Sequence, residues 1–548
     1  MILIPLLLAS VAAAQGDPLK AWNKTRSSIE RDERRFWKDF KSRFNRALEE
    51  FRKPVDAAYE KPNDHKEAVY EYGGIEALYN EARAFAVLQA EADDALAASG
   101  SPKAAAALFS AFLKSAKRMD SLEAELLDSG PNFGRYTFNQ EPGCELWALR
   151  ALNTRRAAAL GKCAGALEYL TSEAWKKAAR ADGRKSFRRR VFVLDALRST
   201  GSEATLPFLQ SAIADKTAAV RIAALEAATI HGAKATETLG PAWTDEDPAV
   251  RRALLASLQP MPTWFGAVLG HAKGVQGVER DLCLRYLTAV SRQTFGHDLE
   301  LWNAWYAEYK DELEGGKFDP KTVEIREAKP KPAPDAFEFY GVPISATGAA
   351  FVIEGSRHMA MPADVDVQRT QWRGQWSGTR RQWEDENPAH QTILLQQFKS
   401  AAAHFPSGFR WGMVLLFGKC SHKTIGEKKP LSTKPRDAKE GVELIEKAPQ
   451  KGWAGAYQGL RAGASLGGKE SGAFDTIVLW STGDPAGGRY MTAAAAADAW
   501  NEFNRFRRLR VIAVRISNRK DPADAFMKSI ADASGGVSLW AKKPPAKK

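Results

Sequence analysis

The stretch Ala349-Ala350-Phe351-Val352-Ile353-Glu354-Gly355-Ser356-Arg357-His358-Met359 decides the fold. It opens with an unbroken apolar run too short for a helix, then turns abruptly polar around a glycine. Continuous apolarity, in place of strict alternation, is the pattern of a strand buried on both faces of a sheet. Runs of the same character recur at 412–417, 476–480 and 511–516. Between and after them lie segments of helical period at 391–404, 438–448, 454–464, 493–507 and 523–533. Strands alternating with helices predict a doubly wound, mainly parallel α/β domain, whose ligands sit beyond the carboxyl ends of the strands.

Four stretches, met in order along the chain, sharpen that expectation. Phe339-Tyr340-Gly341-Val342-Pro343 precedes the first run, and Phe409-Arg410-Trp411-Gly412-Met413-Val414-Leu415-Leu416-Phe417 supplies the second. Phe474-Asp475-Thr476-Ile477-Val478-Leu479-Trp480-Ser481-Thr482-Gly483-Asp484-Pro485 and Phe526-Met527-Lys528-Ser529-Ile530-Ala531-Asp532-Ala533-Ser534-Gly535-Gly536 follow. Together they make 336–541 resemble a von Willebrand factor type A domain.

That resemblance implies a metal-ion-dependent adhesion site, in which an Asp and two Ser, then a Thr, then an Asp hold Mg²⁺ through hard oxygen atoms. Here the first Asp is replaced by Glu354, the first Ser is kept as Ser356, and the second becomes His358. Trp453 falls where the Thr belongs, and Thr482 stands at the last Asp, with Asp484 two residues later. A nitrogen ligand and an indole suit Mg²⁺ poorly. The expectation is therefore a domain with no metal and no cofactor, binding a partner through other contacts of the same loops. The alternative is a divalent-metal-dependent adhesion or ligand-binding receptor, with Glu354, Ser356 and Asp484 holding Mg²⁺.

An insertion beyond His358 carries Arg369, Trp372, Arg373, Trp376, Arg380, Arg381 and Trp383. Interleaved Trp and Arg are enriched at protein-binding hot spots, which makes Trp372 and Trp376 candidate partner contacts. Burial of the same tryptophans inside the insertion is the competing reading.

Upstream the chain reads as helix. Phe36, Phe40, Phe44, Leu48 and Phe51 recur every three or four residues, and Lys53-Pro54 is expected to end that helix. Further helices over 66–98 and from Ser101-Pro102 to Leu127 complete a long-helix hairpin or bundle at 19–130. From 141 to 313 the helices shorten and repeat. Asp215-Lys216-Thr217-Ala218-Ala219-Val220-Arg221-Ile222-Ala223-Ala224-Leu225 aligns with Asp245-Glu246-Asp247-Pro248-Ala249-Val250-Arg251-Arg252-Ala253-Leu254-Leu255, and a looser copy starts at Arg190. This resembles HEAT repeats, the stacked helix pairs of α-solenoids. Trp302, Trp305, Tyr306 and Tyr309 suggest a closing helix. A Pro/Lys-rich linker spans 314–335 and a basic tail 542–548.

The first 14 residues, an apolar run closing on Ala12-Ala13-Ala14, have the form of a signal peptide, so the chain is expected to be exported to a periplasm, envelope or medium. No segment is apolar for long enough to be a transmembrane span. The net charge of +13 is dispersed among 66 acids, so nucleic acid is not the expected partner. Arg188-Arg189-Arg190 and the run from Arg505 to Arg510 read as solvated faces. Of the four cysteines, Cys144 and Cys163 are close enough in sequence for a disulfide, and buried thiols fit equally. Cys420-Ser421-His422 reads as loop. No zinc-protease, nucleophile-elbow or phosphate-loop motif is present. The whole is expected to be a non-enzymatic adaptor: an all-α front half, bundle plus solenoid, joined to an α/β domain, binding a protein partner whose identity the sequence does not carry.

Overall fold

The computed structural model describes residues 17–60, 73–128, 141–183, 186–326, 329, 331–356, 359, 389–417, 421–449, 455–483, 490, 492–516 and 522–541. The signal-peptide segment, the Trp/Arg insertion with Trp372 and Trp376, and the basic tail lie outside them. The chain forms two compact units, Met1–Pro241 with Tyr490–Ala495, and Ala242–Arg489 with Ala496–Lys548. The boundary falls between the two best copies of the repeat.

The first unit is helical: α1 (Pro18–Glu60), α2 (Gly73–Ala98), α3 (Ala104–Asp128), α4 (Glu141–Gly161), α5 (Trp175–Asp182), α6 (Arg188–Thr200), α7 (Leu206–Ile213) and α8 (Ala218–Ala228). Phe36, Phe40, Phe44 and Leu48 of α1 are buried as their spacing requires, with Phe36 packed 5.6 Å from Phe85 of α2. Helix α1 continues through Pro54 to Glu60 instead of stopping there, since a proline removes one donor without forbidding the turns on either side. Deep between α2 and α4, Asp93 accepts from Arg156 Nε at 2.7 Å and from Trp22 Nε1 at 3.0 Å.

The three consecutive arginines are not a solvated face. Arg189 and Arg190 are buried, and the triplet pairs with Asp120, Glu123, Asp182 and Asp215. A guanidinium fork can serve two acids at once, which lets one helix terminus collect carboxylates from several neighbours.

The second unit starts with α9 (Pro248–Ser257), α10 (Phe265–Gly274), α11 (Gly277–Ser291) and α12 (Leu299–Glu314). The repeat motif has a local cause, visible in each copy. Asp215 Oδ1 accepts from Thr217 N and Asp245 Oδ1 from Asp247 N, both at 2.8 Å, closing the turn before the helix. Arg221 and Arg251 then donate back to the carbonyls of Asp215 and Asp245. Val220 and Val250 are fully buried. Helix α12 closes the layer by packing Trp305 5.2 Å from Phe265.

A hairpin, β1 (Ala336–Phe339) with β2 (Val342–Ser345), leads into the six-stranded sheet. Its strands are β3 (Gly348–Glu354), β4 (Arg410–Phe417), β5 (Ser421–Ile425), β6 (Thr476–Ser481), β7 (Arg510–Arg515) and β8 (Val537–Trp540). The order is β5-β4-β3-β6-β7-β8, parallel except for β5, which runs antiparallel at one edge. Ser421 and His422, expected in a loop, therefore begin a strand. Its exposed His422 and Lys423 give no apolar run, because an edge strand needs none.

Alternate residues of each strand serve opposite faces. Phe351, Met413, Val478 and Ile512 meet α13 (His390–Ala403) and α14 (Pro435–Glu446) through Leu394, Phe398 and Ile445. On the other face, a Cβ at Gly459 of α15 (Ala456–Gly463) would stand 2.7 Å from Val352, so only glycine lets that helix lie so close. Helices α16 (Ala493–Arg505) and α17 (Pro522–Ala533) follow β6 and β7.

The helical layer is tied to the edge where the strands begin. Asp475 Oδ2 accepts from Thr347 N at 3.0 Å and from Val278 N, the second residue of α11, at 3.2 Å. Gly277 sits beside it at φ 59°, where a side chain would strike that carboxylate. Arg510, from the second arginine run, is buried against Asp281 of α11 at 2.6 Å. The end of that run is therefore part of the interior, while Arg505, Arg507 and Arg508 are half-buried. Residues of the Pro/Lys segment lie along the same layer: Arg326 N donates to Gln293 Oε1 and His297 N to Lys331 O. Cys144, Cys163 and Cys283 are buried thiols outside any disulfide. Among the described residues no helix is long and apolar enough to cross a membrane.

Candidate functional site

The carboxyl ends of β3, β6 and β7 meet in a row. The β3–β6 register runs from Ala349↔Thr476 to Ile353↔Trp480, and β6–β7 ends at Ser481↔Arg515. Glu354, the last residue of β3, is 2% exposed. Its Oε2 accepts from Ser481 Oγ at 2.6 Å, Thr482 N at 2.8 Å and Thr482 Oγ1 at 2.9 Å. Ser481 Oγ in turn accepts from Gly483 N at 3.0 Å. A carboxylate oxygen has room for about two to three donors, so these bonds saturate Oε2 and hold the two strand ends together.

Ser356 is buried two residues beyond Glu354, where its carbonyl accepts from Met359 N at 3.1 Å. Gly355 between them donates to Leu416 O of β4 at 2.5 Å, and a Cβ there would stand 2.8 Å from that oxygen. Glycine is thus what lets the polar turn lie flat against the next strand. Arg515 continues the row as a buried guanidinium 4.4 Å above the Trp540 ring and 2.9 Å from Asp524 of α17.

Of the residues singled out from sequence, Glu354, Ser356 and Thr482 lie at these strand ends, with Glu354 and Thr482 bonded to each other. His358, Trp453 and Asp484, like Trp372 and Trp376, lie outside the described residues. Sequence reasoning missed Ser481 and Arg515. The signal for Ser481 was its place as the first polar residue after an apolar strand; the signal for Arg515 was a lone cation inside the apolar run 511–516.

Chemically, Oε2 of Glu354 is a satisfied acceptor. A cation approaching Glu354 Oε2 would have to displace a hydroxyl or amide proton already there. Among the described residues no three His, Cys, Asp or Glu side chains converge as a metal-holding group.

No family model and no curated protein matches the chain. Among solved structures, the conserved hypothetical protein BatB from Bacteroides thetaiotaomicron aligns at 13% identity and a TM-score of 0.25, over 36% of this chain and 91% of its own length. A likeness of that size carries no functional argument; the architecture rests on strand order and register.

Proposed function

We propose that the chain is an exported, non-enzymatic adaptor whose C-terminal unit is a von Willebrand factor type A-like domain with a metal-free strand-end cluster. The observation that carries this reading is the carboxylate of Glu354, closed by Ser481 and Thr482 where the family would hold Mg²⁺. Strand order and the single antiparallel edge favour the same family comparison. Partner binding then falls to the loops around the cluster, with Trp372, Trp376 and Trp453 as the contacts of choice on composition.

Calorimetric titration of the full chain with Mg²⁺ and Mn²⁺ tests the metal-free reading. No heat of binding is expected at micromolar to millimolar cation. Micromolar binding abolished by Ser356→Ala would replace the adaptor by a metal-dependent adhesion receptor. Cross-linked partners recovered by wild type and lost by Trp372→Ala with Trp376→Ala support the partner contacts; the same partners from a normally folded double variant would reject them. Export predicts a mature chain beginning at Gln15.

A further inference from the structure

One position breaks the repeat's own pattern. Ile222 is fully buried in the first copy; its counterpart in the second is Arg252, 5% exposed. A guanidinium placed where the repeat wants an aliphatic side chain is costly unless something compensates. Arg252 Nη2 donates to the Arg507 carbonyl at 3.1 Å, its Nε has no hydrogen-bond partner, and no carboxylate lies at ion-pair distance among the described residues. Burial holds its pKa below the ordinary arginine value, against the pull of Asp475, Glu279 and Asp247.

Two further arginines gather beside it. Arg461 of α15 lies 4.0 Å from the centre of the Phe503 ring, and Arg507 lies 4.8 Å from the same centre. Arg461 donates to the Tyr457 hydroxyl and Arg507 to the Ala464 carbonyl. Neither has a carboxylate partner among the described residues. Burial first, then the like charge of Arg461, pushes the Arg507 pKa down. The acid that acts on Arg507, Asp247, spends its Oδ1 on capping α9 through Ala249 N at 2.8 Å. The other buried arginines of this unit behave differently: Arg510 is paired with Asp281 and Arg515 with Asp524.

Helices α15 and α16 each precede a parallel strand, so they run the same way. One turn before Arg461 and Phe503 respectively stand Gln458, with buried unpartnered amide atoms, and Trp500, with a buried unpartnered indole nitrogen. The Trp500 indole and the Gln458 amide thus leave donors unmatched by the protein, as cations are in surplus around Phe503.

We propose that Arg252, Arg461 and Arg507 form a binding site for a phosphate group, free or carried as a small phosphomonoester. Guanidinium forks match tetrahedral oxyanions, and a dianion neutralises more than one of the three charges where a single carboxylate would not. Phe503 holds Arg461 and Arg507 in place as a cation–π platform, so little side-chain freedom is lost on binding. Arg461 and Arg507 are half-buried and take the ligand; Arg252, buried and bonded to the Arg507 carbonyl, adds its charge.

The test is calorimetric titration of the full chain with inorganic phosphate and with glycerol phosphate at fixed ionic strength. Wild type is expected to bind phosphate, with affinity falling about tenfold or more in Arg461→Gln and in Arg507→Gln, the equivalent of about 1.4 kcal/mol. Arg43→Gln, which removes a surface pair with Glu81 in the first unit, should leave binding unchanged. Tighter binding of glycerol phosphate assigns the ester as the ligand form, and equal or weaker binding assigns free phosphate. Absence of phosphate binding by wild type overturns the proposal. So does undiminished binding in Arg461→Gln with a native circular-dichroism spectrum, and that variant decides alone if Arg507→Gln does not fold.

Discussion

Two of the places where the second unit buries charge are treated in opposite ways. At the ends of β3 and β6, the Glu354 carboxylate is enclosed by two hydroxyls and an amide, and its Oε2 is satisfied from within. Beside α15 and α16, three guanidiniums gather without one carboxylate bonded to them among the described residues. The first arrangement behaves as structure and the second as a vacancy for charge. A buried ion that is fully hydrogen-bonded stabilises the fold it joins, whereas an uncompensated one persists when something outside the chain completes it.

The sharpest way to break this contrast is Glu354→Ala, which strands the Ser481 hydroxyl and both Thr482 donors. A loss of about 3 kcal/mol or more is expected in urea denaturation, from unsatisfied buried groups alone. A loss under about 0.5 kcal/mol would mean that the cluster is not structural. Thr482→Val keeps the amide bond to Glu354 and removes one hydroxyl, so about 1 kcal/mol should follow by the same measurement.

An acid titration compares a carboxylate in the helical layer. Burial raises the Glu279 pKa, but hydrogen bonds from His271 and Arg251 overcome it and leave the pKa below its ordinary 4.5. A depressed carboxylate contributes stability that is present above its unfolded value and lost as pH falls through the folded one. Thermal midpoints measured from pH 6 downward should therefore drop below about pH 4.5, and drop less steeply in Glu279→Gln. The smallest effect is expected for Arg461→Gln without phosphate. Relief of repulsion with Arg507 offsets the lost ring contact, leaving stability within about 0.5 kcal/mol of wild type.

Much of this was legible in the sequence, and the failures are instructive. The four central strands match their apolar runs to within a residue or two, because a strand covered on both faces has no polar position to blur its limits. Strands β5 and β8 were not legible, since edge strands carry exposed and half-buried residues that resemble loop. Glu354, Ser356 and Thr482 were reached through the resemblance to a von Willebrand factor type A domain, whose site positions fall on them. Ser481 was passed over, although its hydroxyl donates to Glu354 Oε2 at 2.6 Å. Arg189, Arg190 and Arg510 were misread as solvated: charge in a sequence looks like surface until its partners are known, and those partners lie far along the chain, as with Arg510 and Asp281.

Sequence by itself determined the period of each element, the copies of the helical repeat, and the polar turns that follow β3 and β6. These are local properties, set by side-chain spacing and by hydrogen bonds within a few residues, such as the Asp215 and Asp245 turns. Only the tertiary structure decided which charges cancel. Whether Glu354 is closed, or Arg252 left open, depends on groups brought together from distant elements, and desolvation makes that pairing matter far more inside the protein than in water.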